Sequence, residues 1–319
     1  MKGLYFDGKL RFDDNLPTPL PGKGEALIKV VKSGICRTDI EIAAGYMGFS
    51  GIPGHEFVGI IEDAPDKNTI GDRVVGQINC GCNDCKECRN DSQNHCKNRT
   101  VLGILNRNGS FAEYLTLPVA NLHHVPDSVT DEEALFAEPL AAAFRVIEQV
   151  NVLAGEVLVL GDGKMGILIS QIIGFLKGDV TLCGKHPEKL KLVQDCNVSP
   201  ILVDDLEKGK LYPVVVDATG SPNGLGLALT HTKAKGTIIM KTTIAENAKA
   251  TDAIDLNSVV INEITIKGSR CGPFEHALTL LGEKAIPVTR LIQETLPLEK
   301  GLEAFEIASK PGALKVVLS

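Results

Sequence analysis

The chain has 319 residues, of which 44% are hydrophobic and 23% charged, with 33 basic against 40 acidic side chains and a net charge of −7. That length exceeds one ordinary core and predicts two domains, while the composition excludes a disordered chain. An acidic chain with no Trp and 4% aromatic residues excludes a nucleic-acid surface, and no apolar run approaches the length of a membrane span.

The expected partner is therefore a small molecule, with neither nucleic acid nor membrane involved. The opening segment, MKGLYFDGKLRFDDN, has no apolar signal core, so a cytoplasmic location is expected. Short β-rich runs follow at 26–31 (ALIKVV), 57–62 (FVGIIE) and 72–78 (DRVVGQI), separated by Gly- and Pro-rich turns. At Thr130 the texture changes. Thr130 and Glu133 have the spacing of a capping box, and an apolar helical stretch runs to about Val150, with a break predicted at Glu138–Pro139.

From 156 to 267 strands and helices alternate. EVLVL (156–160) is continuously apolar, as a strand buried on both faces should be, and GILISQIIGFL (166–176) has helical length and spacing. Further strands are predicted at 179–183 and near 201–203, 214–217, 237–240 and 263–267, with a helix opened by Pro187. This alternation predicts a doubly wound parallel sheet. The tail breaks the pattern with helical runs near 274–282 and 298–308 and a last strand, KVVL.

Five of the nine cysteines lie between positions 80 and 96. Cys82, Cys85, Cys88 and Cys96 give C-x2-C-x2-C-x7-C, a spacing that surrounds one tetrahedral zinc and leaves no open position. That site is expected to be structural, with Cys80 a spare thiol. Three separated elements offer a second, open set: Cys36 in GICRTD, His55 and Glu56 in GHEFVG, and Glu138 in AEPL. Mixed sulfur, nitrogen and oxygen ligands with one position left for substrate are what a catalytic zinc requires. Singly, each residue also reads as a core thiol, a core imidazole or a surface acid, so the expectation rests on their co-occurrence.

Gly161-Asp-Gly163-Lys164-Met165-Gly166 is a G-x-G-x-x-G turn placed directly after an apolar strand and opening a helix. In that context the glycines admit a pyrophosphate to the helix N-terminus. At the end of the next strand, where an acid would bind the ribose of NAD, stand Gly184, Lys185 and His186. Room at Gly184 and the charge of Lys185 predict NADP over NAD.

Together with GDRV, GSFAEY, DATG and the closing LEAFEIASKPGALKVVL, these motifs resemble the medium-chain zinc-dependent alcohol dehydrogenases over essentially the whole chain. The resemblance implies an α/β protein with a GroES-like β-rich catalytic domain (1–147 and 268–319, zinc lobe 80–96) and a Rossmann domain (148–267). It implies two zinc ions per chain, one structural and one catalytic on Cys36, His55 and Glu138, with Glu56 the adjacent acid able to approach the metal. The Glu at position 138 resembles the polyol, threonine and glucose dehydrogenase branch. Thr38 matches the hydroxyl that relays the alcohol proton, and Asp39 the acid that orients the zinc-bound imidazole. Arg37 and Lys315 match positions near the cofactor pyrophosphate, Thr219 belongs to the cofactor-binding set, and Arg270 lies near a substrate-contacting position. The implied reaction moves a hydride between an alcohol and NAD(P), in a homodimer or homotetramer. Glu41 stands where liver-type relatives continue the proton relay with His, and the stretch between Tyr46 and Gly54 is compact. A zinc-free quinone-type reductase on the same fold and a non-catalytic NADPH-binding scaffold are the alternatives.

Overall fold

The computed structural model describes residues 1–244 and 254–319, which form two compact units. The first comprises Met1–Glu138, Leu281–Glu283 and Leu291–Ser319. Its frame is a seven-stranded sheet built around the long strand Glu25–Ile35, which pairs antiparallel with Glu56–Asp63, Tyr114–Pro118 and Lys315–Leu318. Beyond Glu56–Asp63 lie Arg73–Gly76 and Leu122–His124, and Ile292–Leu296 runs parallel to the last strand at the opposite edge. Val316 faces Ile35 across the ladder, so the end of the chain is stitched to the strand that leads into Cys36. Leu4, Ile35, Phe111, Phe305 and Val316 form one buried cluster, with the rings of Phe111 and Phe305 edge to face at 5.5 Å. Burial of these groups, at about 25 cal/mol per Å² of apolar surface, fixes the tail on this sheet.

The second unit comprises Pro139–Leu280 and Lys284–Arg290. Six parallel strands lie in the order Ser199–Leu202, Val180–Gly184, Val157–Leu160, Tyr212–Asp217, Thr232–Met240 and Thr265–Gly268. In chain order this is 3-2-1-4-5-6, the doubly wound arrangement, whose ligand crevice lies where the order reverses at the first strand. Val157–Leu160 and Val180–Gly184 are buried throughout, which explains the unbroken apolar run of the first, while Thr181 in the second donates its hydroxyl to Glu156.

The expected helix break falls elsewhere. The stretch after Thr130 is two helices, Asp131–Ala134 and Ala137–Gln149, with the interruption at Leu135–Phe136. Glu138 and Pro139 sit in the first turn of the second helix, where a proline without an N–H loses no hydrogen bond. The capping box forms as expected: Glu133 N–H donates to Thr130 Oγ1 and Thr130 N–H donates to Glu133 Oε2. The N-terminal hairpin of Gly3–Phe6 with Leu10–Asp13 has no counterpart in the sequence reading. No described helix is long and apolar enough to cross a membrane.

Candidate active site and metal centres

Strand Glu25–Ile35 ends one residue before Cys36, which is extended and starts the seven-residue helix Arg37–Ala43. Asp39, in the first turn of that helix, is fully buried. One of its oxygens accepts the N–H of Cys36 at 2.8 Å, and the other lies 3.1 Å from His55 Nδ1. The carboxylate thus ties the end of one strand to the start of the next and leaves His55 Nε2 as the ring nitrogen that Asp39 does not engage. The ligand atoms of Cys36, His55 and Glu56 lie within 4.8 Å of one another. Thr38 Oγ1 is 4.0 Å from Cys36 Sγ.

Glu56 and Lys315, each 1% exposed, form a buried ion pair. Strand pairing brings them together: Val316 is opposite Ile35 and Glu56 opposite Gly34. A Cβ on Gly34 would lie 2.8 Å from Glu56 Oε2 and 3.1 Å from the Lys315 stem, so only glycine leaves them this space. Burial works against the Lys315 charge, but Glu56, Cys36 and Asp39 outweigh it and hold the ammonium above its ordinary range. His55 behaves alike: burial opposes its charge, and Asp39 and Cys36 raise it well above the usual imidazole value. Two buried acids and a thiol therefore face one buried ammonium. Sulfur, nitrogen and oxygen donors converging in such an electron-rich pocket fit a zinc ion.

Glu138 is half-buried at the start of its helix and is not among the three converged residues. Lys315, expected near the cofactor pyrophosphate, holds Glu56. Arg37 is largely exposed and pairs with Glu41 one turn on at 2.5 Å, so the acid standing in the relay position is bound to a guanidinium.

The sulfurs of Cys82, Cys85, Cys88 and Cys96 converge within 4.8 Å, with Cys85 preceding the short helix Lys86–Arg89 and Cys88 buried within it. Backbone N–H groups of Asp84 and Cys85, with Cys96, bring the Cys82 thiol down to about 6. The N–H of Cys88 favours a Cys85 thiolate, but burial and the neighbouring Cys88, Cys96 and Glu87 push that thiol up to about 12. Four sulfurs competing for few donors are the environment that a closed zinc site relieves. Cys80 is buried outside the set.

In the second unit, Gly161 has a φ of +107° and Gly163 caps the twelve-residue helix Lys164–Phe175. A Cβ at Gly166 would come 1.9 Å from the Gly161 carbonyl, so the turn closes this tightly only with glycine there. Lys164 and Met165 are half-buried in the first turn. Thr219 donates its hydroxyl to Asp217 at 2.6 Å, and the Arg270 carbonyl accepts from Lys241. The room expected at Gly184 is not open: the side chain of Asp162 fills it and accepts the N–H groups of Lys185 and His186. Sequence reasoning passed over Asp162 as a variable position between glycines. The signal was an acid in the turn of a chain that lacks one at the second strand's end.

Residues 22–127 match the family model described as the alcohol dehydrogenase GroES-like domain. The chain is 28% identical over 326 residues to a sorbitol dehydrogenase of Halalkalibacterium halodurans, covering 95% of this chain and 94% of that one. It is also 28% identical over 331 residues to an L-threonine 3-dehydrogenase of Stenotrophomonas maltophilia, covering 96% and 95%. Among solved structures, a zinc-binding dehydrogenase from Sinorhizobium meliloti bound to NADP superposes with a TM-score of 0.89 at 25% identity, over 99% of this chain and 98% of that one. These findings support the resemblance to the medium-chain zinc-dependent alcohol dehydrogenases. The chain is an oxidoreductase of the class that works with a nicotinamide dinucleotide.

Proposed function

We propose that the protein moves a hydride between an alcohol of the polyol or sugar-like class and NAD(P), forming an aldehyde or ketone, with one catalytic and one structural zinc per chain. The observation that carries this reading is the convergence of half-buried Cys36 with buried His55 and Glu56 around Asp39. Cys36 and His55 hold the catalytic metal, with Glu138 the third ligand and Glu56 the neighbouring acid; the four cysteines of the lobe hold the other. A zinc ion in the first site supplies a Lewis acid toward an alcohol or carbonyl oxygen.

The chain's own groups do the rest. Asp39 keeps the His55 ring in one orientation, and Lys315 holds the Glu56 carboxylate in place. The Thr38 hydroxyl accepts the alcohol proton, passing it outward past Glu41. The turn from Gly161 to Gly166 receives the pyrophosphate, with Thr219 and Arg37 in the cofactor-binding set, and Arg270 contacts the substrate. Lys185 and His186 lie at the adenosine end, where the Lys185 charge supports NADP.

Residues 1–147 and 268–319 form the catalytic domain in this reading, and 148–267 the dinucleotide domain. Sorbitol and threonine dehydrogenases among the relatives support an alcohol bearing neighbouring polar groups. A homodimer or homotetramer is supported by the edge strand Thr265–Gly268, exposed at every residue, and by exposed Leu256, Val260 and Ile261 nearby in the chain. Nine free cysteines support a reducing, cytoplasmic setting.

Metal analysis tests the reading. The wild-type protein is expected to hold two zinc ions per chain and Cys36→Ser one. One zinc in both would overturn the catalytic site and leave a zinc-free reductase or a binding scaffold.

A further inference from the structure

The glycine turn holds one residue that pyrophosphate binding does not require. Asp162, between Gly161 and Gly163, is 6% exposed and reaches to the end of strand Val180–Gly184. Its Oδ2 accepts the N–H of Lys185 at 2.6 Å and that of His186 at 2.7 Å, and both of its oxygens lie 3.0 Å from His186 Nδ1. Burial disfavours the charge, yet the His186 ring and the two N–H groups outweigh it and hold the carboxyl below its ordinary range. A Cβ on Gly184 would come within 2.5 Å of this side chain, so the glycine is what lets the carboxylate in.

The end of the second strand is where a parallel dinucleotide fold reads the ribose 2′ position, with an acid for a hydroxyl or a cation for a phosphate. Leu182, Cys183, Gly184, Lys185 and His186 supply no acid there. Asp162 brings one from the neighbouring turn. It also occupies the two backbone donors that a phosphate at that position would take, and it sets a negative charge against the phosphate's own.

We infer that Asp162 is the specificity-determining residue for the 2′ position of the cofactor, favouring the free hydroxyl of NAD(H) and opposing the pull of Lys185 on the 2′-phosphate of NADP(H). This rests on the dinucleotide reading above and deepens it. Asp162 acts on the side of the cofactor remote from the nicotinamide, so its effect is one of binding.

The test is calorimetric titration of the protein with 5′-AMP and 2′,5′-ADP (adenosine 2′,5′-bisphosphate), which differ only by the 2′-phosphate. Asp162→Asn keeps an oxygen for the two N–H groups while removing the charge, and Asp162→Ala empties the space. In both variants the affinity for 2′,5′-ADP relative to 5′-AMP should rise about tenfold or more, the scale of one charged hydrogen-bonding contact. An unchanged ratio in variants with wild-type circular dichroism would confine Asp162 to shaping the turn and overturn the inference. If Asp162→Ala does not fold, Asp162→Asn decides. Failure of the wild-type protein to bind either ligand would sink the dinucleotide reading itself, and the inference with it.

Discussion

The two clusters of metal-ligating residues in the first unit are assembled in opposite ways. The lobe takes its four sulfurs from one stretch, Cys82 to Cys96, whose regular structure is a four-residue helix and a short turn. The open cluster takes Cys36 from the end of one strand, His55 and Glu56 from the start of another, and its bracing Lys315 from the last strand of the chain. Ladder pairing and the Asp39 carboxylate hold that cluster. A local loop of thiols has no such support. The lobe should therefore depend on its metal for structure, while the open cluster should keep its shape and depend on its metal for chemistry.

The largest effect that would break this contrast lies in the lobe. Zinc-held peptides draw on the order of 10 kcal/mol of folding free energy from the metal. Cys88→Ser should remove one zinc per chain and abolish amide-exchange protection across residues 80–101, with the strand Glu25–Ile35 still protected. Protection retained in the lobe would mean that protein contacts alone hold it. Next in size is Lys315→Met. Removing one partner of a buried ion pair leaves the other uncompensated, at a cost of about 3–5 kcal/mol. Urea unfolding should report that loss, and the double variant with Glu56→Gln should recover most of it, since both charges then disappear together. A single variant as stable as wild type would show that Glu56 does not need its ammonium.

The same contrast decides what was legible beforehand. The lobe could be read from spacing alone because its ligands are neighbours in sequence. The parallel sheet was equally legible, since buried strands such as Val157–Leu160 are apolar throughout and each is followed by a turn and a helix. Cys36, His55 and Glu56 were visible only through their co-occurrence and the resemblance, because nothing in local pattern says that position 36 meets position 55. Lys315 was named but given a different partner: its contact with Glu56 depends on the register of two ladders separated by most of the chain. The misplaced helix break has a local cause. Proline was read as an interruption, whereas in a first turn it is compatible with the helix, so Glu138 begins Ala137–Gln149 instead of breaking it. Asp162 escaped because its meaning lies across the sheet, in the N–H groups of Lys185 and His186.

The smallest expected effect sharpens the comparison most. Asp39→Asn keeps the size of the side chain and can still accept the Cys36 N–H, but it loses the charge that orients the His55 ring. Loss of a hydrogen-bond partner to a metal-binding imidazole costs roughly 10–100-fold in metal affinity. Competition with a graded chelator should show one of the two zinc ions leaving 10–100-fold more readily, and the lobe's zinc unchanged. Exchange protection should be unaltered in both places, because the ladders that hold the open cluster do not run through the Asp39 carboxylate. Two zinc ions weakened together would mean that the clusters are not independent. Loss of protection in Glu56–Asp63 without any change in zinc affinity would make Asp39 a brace for the strands alone.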